Sequence, residues 1–174
     1  AGKAPMDELL SQTKDFFENK NLSSSYFTKQ IAFNAIPHID SFLDSGYTKE
    51  EQKMHDEVKK ILDSKIKVTS TSVRVPVLVS HAVSVNVEFS KKYKLNEIQN
   101  VLNTSPGCKV IDEHKDGGYI TPVEAENKFD TFISRIREDN SQDNTINLWI
   151  VSDNLLKGAA LNAVEIAEAL IKIK

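Results

Sequence analysis

Met6, Leu9, Leu10, Thr13, Phe16 and Phe17 recur three and four residues apart, a spacing that predicts a helix from about Pro5 to Asn19. Pro5 suits its first turn, and Asp7 and Glu8 sit near its positive end. Polar residues 19–25 read as a loop, and the apolar run Gln30 to Ile36 reads as strand-like, ended by Pro37. Thr48 and Glu51 form a T-x-x-E capping box ahead of an apolar stripe of Met54, Val58, Ile61 and Leu62, so a second helix is expected from about Thr48 to Leu62. Val68 to Val79 is rich in β-branched residues, while Val83, Val85, Val87 and Phe89 alternate with Ser84, Asn86 and Glu88 as in a half-buried strand. Asn96 and Gln99 are placed to cap a short helix carrying Ile98, Val101 and Leu102, which Pro106-Gly107 would stop before a short strand from Cys108 to Ile111.

Gly117-Gly118 and Pro122 mark a long irregular connection. Thr131 to Glu138 and Ile146 to Val151 then read as an antiparallel hairpin around the polar turn Asn140 to Thr145. A final helix is expected from about Asp153 to Ile171, its apolar side made of Leu156, Ala159, Ala160, Ala163, Ala167 and Leu170, small enough to lie close to a sheet. Strands joined by hairpins, with helices inserted between groups, predict an α+β fold: a mixed, largely antiparallel sheet covered largely on one face by helices.

At 174 residues the chain has the size of one domain, 1–174, with a core large enough to need neither disulfide nor metal. Its 22 basic and 25 acidic side chains, with no basic block, lack the electrostatic footprint of a nucleic-acid binder. No apolar run approaches the ~20 residues of a membrane span, and the single Cys108 fits a reducing compartment, so a soluble cytoplasmic protein is expected. No glycine-rich nucleotide loop is present.

Three segments carry candidate chemistry. Arg74 and His81 stand seven apart in an otherwise apolar run. A guanidinium holds a carboxylate bidentately and an imidazole exchanges protons near neutrality, yet the same residues also read as a structural ion pair and a strand end. In a straight strand they would face opposite ways roughly 23 Å apart, so shared work requires a turn or crossing near Pro76 to Ser80. Glu50 and Lys53, three apart on the capped helix, could meet an amine and a phosphate, or form an ordinary solvated pair. Asp153-Asn154 opens the last helix directly after a strand, where Gly158 and the alanines allow a ligand close approach, although helix capping explains part of this. Cys108 has no histidine beside it in sequence and reads as a small buried residue beginning a strand. His38, His55 and His114 lack metal-ligand spacing; Arg135 and Arg137 alternate on one strand face, as in structural pairing or an interface.

Taken in order, Ile31-Ala32-Phe33-Asn34-Ala35-Ile36-Pro37, Gly46-Tyr47-Thr48-Lys49-Glu50-Glu51, Ser72-Val73-Arg74-Val75-Pro76-Val77, Ser134-Arg135-Ile136-Arg137 and Val151-Ser152-Asp153-Asn154-Leu155-Leu156-Lys157-Gly158-Ala159-Ala160-Leu161-Asn162 resemble bacterial aspartate-semialdehyde dehydrogenase. The resemblance runs from Ala1 to the end and covers only the family's substrate-binding and dimerisation domain, of the glyceraldehyde-3-phosphate-dehydrogenase-like C-terminal type. It implies an N-terminal Rossmann domain that binds NADP and a nucleophilic cysteine, both outside these residues. The implied reaction is NADPH-dependent reductive dephosphorylation of β-aspartyl phosphate to aspartate 4-semialdehyde, with phosphate as co-product and the chain alone inactive. Carried over by position, Arg74 resembles the holder of the substrate carboxylate, His81 the acid/base, Glu50 the partner of the substrate amine and Lys53 the phosphate contact. Asn154 resembles a cofactor contact, and Ala1-Gly2 the second half of a cofactor-touching Ser-Gly-Ala-Gly loop. A homodimer is implied. The family usually has Cys where Ser72 stands, and Gly-His-Ser where this chain has Ser80-His81-Ala82. A stand-alone oligomerisation module and an acyl-phosphate reductase of the N-acetyl-glutamyl-phosphate type are the alternatives; Glu50 suits a free amine, which the acetylated substrate lacks.

Overall fold

The computed structural model describes residues 2–173, which gather into two compact units that divide between Leu78 and Val79. The first contains two helices, α1 (Lys3–Phe17) and α2 (Lys49–Ile61), and much irregular chain. Because α1 already begins at Lys3, Asp7 and Glu8 lie beyond its first turn. The face it buries is Pro5, Glu8, Leu9 and Gln12, whereas Leu10, Phe16 and Phe17 are exposed, contrary to the apolar periodicity. The reason is hydrogen bonding. Glu8 accepts from the backbone N–H groups of Ser25, Tyr26 and Phe27 and from the Ser25 hydroxyl. One turn on, Gln12 donates to the Ser23 carbonyl and accepts from the N–H groups of Ile31 and Ala32. These two side chains turn the expected loop and strand into a strapped coil, and Leu9, Phe27, Ile31, Ala32 and Ile36 pack beneath it.

Gln30 to Ile36 and Val68 to Val79 are therefore not strands. Their one ladder contact is an isolated antiparallel bridge between Ile36 and Arg74. Pro37 and Pro76, which have no N–H to donate, flank it and deny either segment a longer ladder. The capping box at α2 forms as expected. Its apolar stripe is not buried, however: Ile61 and Leu62 are exposed, and Glu51 is the buried residue of the helix.

The second unit holds a four-stranded sheet of β1 (His81–Glu88), β2 (Cys108–Val110), β3 (Thr131–Glu138) and β4 (Thr145–Ser152), in the order β1-β4-β3-β2. β1 and β3 flank β4 antiparallel, and β2 runs parallel to β3, which makes the expected α+β, mixed sheet. Ile133, Leu148 and Ile150 point to one face with Val85 and Val87, where the helix α3 (Leu95–Thr104) covers them with Leu95, Ile98 and Leu102. Phe132 and Val151 point to the other, beneath Ile120 and the short helix α4 (Pro122–Ala125). Neither Asn96 nor Gln99 caps α3; its N-cap is Lys94, with no side-chain bond. The alternation of Arg135 and Arg137 is broken by a bulge, with Arg135 at φ 56°, and Asp112 accepts both freed amides, from Arg135 and Ile136. After β4 the chain makes a π-helical turn, Leu156–Ala160, before the helix α5 (Leu161–Lys172). No residue of α5 is buried, so the expected close packing on the sheet does not form among the described residues.

Among the described residues no helix is long and apolar enough to cross a membrane, and no group of three or more His, Cys, Asp or Glu is placed to hold a metal ion.

Burial raises the pKa of Glu8, but the four bonds from residues 25–27 outweigh it and hold the carboxyl below its ordinary value. A depressed carboxylate stabilises the fold above its unfolded pKa and loses that contribution as pH falls through the folded value. Glu8→Gln should therefore lower unfolding free energy at neutral pH by about 1–3 kcal/mol and flatten its decline below pH ~4.3, as measured by urea titrations. In the β3–β4 turn, the Ser141 hydroxyl and amide and the Asn86 amide hold Asp139 down to about 2. An NMR titration of its side-chain carboxyl should show that midpoint, and Ser141→Ala should move it back towards the usual aspartate range.

Candidate functional site

Arg74 is fixed through its backbone. Its N–H donates to the Ile36 carbonyl and its carbonyl accepts from the Ile36 N–H, both at 2.9 Å. Two residues earlier the Ser72 N–H donates to Glu51, which also accepts from Thr48, so the capping box of α2 is tied to the arginine segment. These bonds, from Thr48 first and then Ser72, keep the Glu51 carboxyl below its ordinary range. The Arg74 guanidinium lies 5.5 Å from the centre of the Phe27 ring, and no carboxylate among the described residues pairs with it. It lines a cavity of about 250 Å³ with Tyr26, Phe27, Thr28, Ile36, His38 and Asp40. Among the described residues no ion pair accounts for Arg74, and its forked donors suit a carboxylate.

Glu50 and Lys53 belong to the same unit. Their charged groups are 4.0 Å apart on the first turns of α2, and Lys53 lines an open hollow with Lys49, Gln52 and Lys60. Such a half-exposed pair contributes little to stability.

His81 and Asn154 lie at one corner of the second unit. His81 is the exposed first residue of β1 and stands opposite Ser152 in the antiparallel ladder. Asp153 follows at once and is buried: one of its oxygens accepts from the N–H groups of Leu155 and Leu156, the other from Asn127. Burial raises its pKa, and these bonds outweigh it, leaving the carboxyl low. The Asn154 carboxamide oxygen then accepts from the N–H of Ser80, at 3.0 Å. The turn expected between Arg74 and His81 is present as bends at Pro76, Leu78 and Val79, followed by Ser80 with φ +69°.

Gly2 is the N-cap of α1 with an extended backbone and open space where a Cβ would stand, so neither its conformation nor its surroundings demand glycine; Ala1 lies outside the described residues. Cys108 is half-buried in the apolar cluster at the start of β2, as expected of a structural thiol. Glu51, Ser80 and Lys157 escape a reading by residue type. Lys157 pairs with Glu165 and lies so close to Gly107, φ +71°, that a Cβ there would come within 2.5 Å of its ammonium. The usual glycine of the family at position 80 is the signal that would have marked Ser80.

A family profile for the semialdehyde dehydrogenase dimerisation domain matches residues 1–157. The aspartate-semialdehyde dehydrogenase of Rickettsia bellii is 51% identical over 172 residues, 99% of this chain and 51% of that protein. That of Aquifex aeolicus is 44% identical over 174 residues, again 99% of this chain and 51% of that protein. A crystal structure of aspartate semialdehyde dehydrogenase II from Vibrio cholerae superposes with a TM-score of 0.93 at 42% identity, covering 98% of this chain and 51% of that one. The chain thus spans about half the length of the curated relatives it matches. Matched by the profile through to the π-helical turn and by these relatives almost end to end, the chain belongs to the semialdehyde dehydrogenase family, as its dimerisation domain.

Proposed function

We propose that this chain is the substrate-binding and dimerising half of an NADP-dependent aspartate-semialdehyde dehydrogenase, with the cofactor domain and the nucleophilic cysteine in the other half. The observation that carries the reading is Arg74, a half-buried guanidinium anchored through its backbone, lining a cavity and paired with no carboxylate among the described residues. A solved relative from Vibrio cholerae is described as a complex with ASA, which supports a substrate bearing one free carboxylate and one amine. In this reading Arg74 holds the carboxylate by two parallel N–H···O bonds, Glu50 meets the ammonium and Lys53 draws in phosphate. Glu50 again favours a free amine over an acetylated substrate.

His81 is the proposed acid/base. It gives a proton to the oxygen that develops on the aldehyde carbon when the thiol adds, and takes it back as the acyl group forms. NADP, when bound, accepts the hydride. The donor set at Asn154 fits its carboxamide, because the amide oxygen is already occupied by the Ser80 N–H and the Nδ2 hydrogens are left to a ligand oxygen. Gly2 would contact the same cofactor. A second copy of the chain is the proposed dimer partner; the profile's dimerisation domain and the exposed Phe16, Phe17, Val164, Ile166, Leu170 and Ile171 support a protein whose surface is covered in its assembly.

Phosphate-dependent NADP reduction with aspartate semialdehyde, assayed on the full-length protein, tests the reading. Arg74→Lys keeps the charge and loses the fork, so kcat/KM should fall by about 10- to 100-fold. Unchanged kinetics would remove the carboxylate from Arg74.

A further inference from the structure

Ser80 carries two costs at once. Asn19, Asn127, Asn144 and Asp40 are types that tolerate the left-handed region; Ser80, at +69°, is not, and it shares that cost with Phe33 and with Arg135 of the β3 bulge. Its hydroxyl is also shielded from water with no hydrogen-bond partner. A strained residue beside a candidate site is worth reading for what the strain achieves. The β1–β4 ladder ends at His81 and Ser152, so the next amide, that of Ser80, has no strand acceptor. The left-handed turn instead directs this N–H to the Asn154 side chain, at 3.0 Å. A backbone N–H only donates, so the atom it meets must be the carboxamide oxygen, which settles the orientation of the amide. The backbone of Asn154 is held in turn, since Asp153 accepts from Leu155, Leu156 and Asn127 on either side.

We propose that Ser80 is a positioning residue: its N–H locks the Asn154 carboxamide with Nδ2 outward, so that the corner beside His81 presents a hydrogen-bond donor to the carboxamide oxygen of a nicotinamide ring. This rests on the cofactor reading above, takes the polarity of the contact from it, and adds the feature that maintains that polarity, the left-handed backbone of Ser80. The serine side chain contributes nothing to the lock; the backbone conformation does.

Amide hydrogen exchange and NADP titration of the full-length protein test it together. Asn154→Ala should speed exchange at Ser80 about tenfold while leaving Val83 and Val85 unchanged. Ser80→Gly, which adopts the same φ without cost and removes the orphan hydroxyl, should keep exchange at residue 80 slow and raise the unfolding temperature by about 2–4 °C. Ser80→Val, whose branched Cβ opposes positive φ, should weaken NADP binding about tenfold with the KM for aspartate semialdehyde within about twofold, and glycine should recover the affinity that valine loses. Exchange at Ser80 that ignores Asn154→Ala overturns the lock, and Ser80→Gly binding NADP as weakly as Ser80→Val assigns the effect to the hydroxyl instead. Should the wild-type protein bind no NADP, the cofactor reading fails and the outward donor with it; exchange at Ser80 still decides whether the lock exists.

Discussion

Irregular backbone withdrawn from water needs an acceptor for each N–H, because an unmet buried donor costs about 1–3 kcal/mol, more than a typical hydrogen bond contributes. In this chain the acceptors are side chains planted on regular elements. Glu8 and Gln12 of α1 take five amides from residues 25–32 between them. Glu51 of α2 takes Ser72, Asp112 takes the two amides freed by the bulge in β3, and Asp153 and Asn154 take those of Asn127, Leu155, Leu156 and Ser80. Burial that would ordinarily drive a carboxyl towards its neutral form is thus overcome at Glu8 and Asp153, which remain charged because several dipoles point at them.

The proposed site inherits this scheme. Two segments next to candidate residues are suspended from such acceptors: Ser72, next but one to Arg74, from Glu51, and Ser80, next to His81, from Asn154. Regular ladders would hold the same segments more strongly, but they would also impose the two-residue alternation of a strand. A coil tied at chosen amides can set the Arg74 guanidinium at an angle that no continuous strand permits, while His81 takes its place from the first ladder position of β1.

What the sequence made legible follows from the same distinction. The β3–β4 hairpin, the alternation of β1, the T-x-x-E start of α2 and the short strand at Cys108 all announce themselves through local periodicity or capping chemistry, and each forms. Gln30 to Ile36 and Val68 to Val79 have the composition of strands, yet the amides of Ile31 and Ala32 go to Gln12, that of Ser72 to Glu51, and those of Ile36 and Arg74 to one isolated bridge. Periodicity cannot show an acceptor that lies 19 residues away in sequence, as Gln12 does from Ile31. For the same reason the buried face of α1 is not legible: the apolar spacing includes Phe16 and Phe17, which are exposed, and nothing local marks Glu8 and Gln12 as buried. Arg74, His81, Glu50, Lys53 and Asn154 stand out by residue type, whereas Ser80 becomes visible only through its φ.

Arg74 shows how far one such acceptor reaches. Its guanidinium lies over the Phe27 ring, a contact worth about 0.5–1 kcal/mol, and stacking on a ring leaves the N–H edges of the fork free to bind a carboxylate. Phe27 cannot choose its own position, because its N–H is bound to Glu8 and its ring packs against the cluster of Leu9, Ile31 and Ile36. Ile36 in turn exchanges both backbone bonds with Arg74. Head and backbone of the arginine are therefore referred to the same helix, α1, by two routes: through Glu8 and Phe27 to the guanidinium, and through Leu9 and Ile36 to the main chain. Glu8 lies on the first of these routes. The carboxylate that organises the coil of this unit is thereby a determinant of the aim of Arg74, although nothing in its position along the chain connects the two.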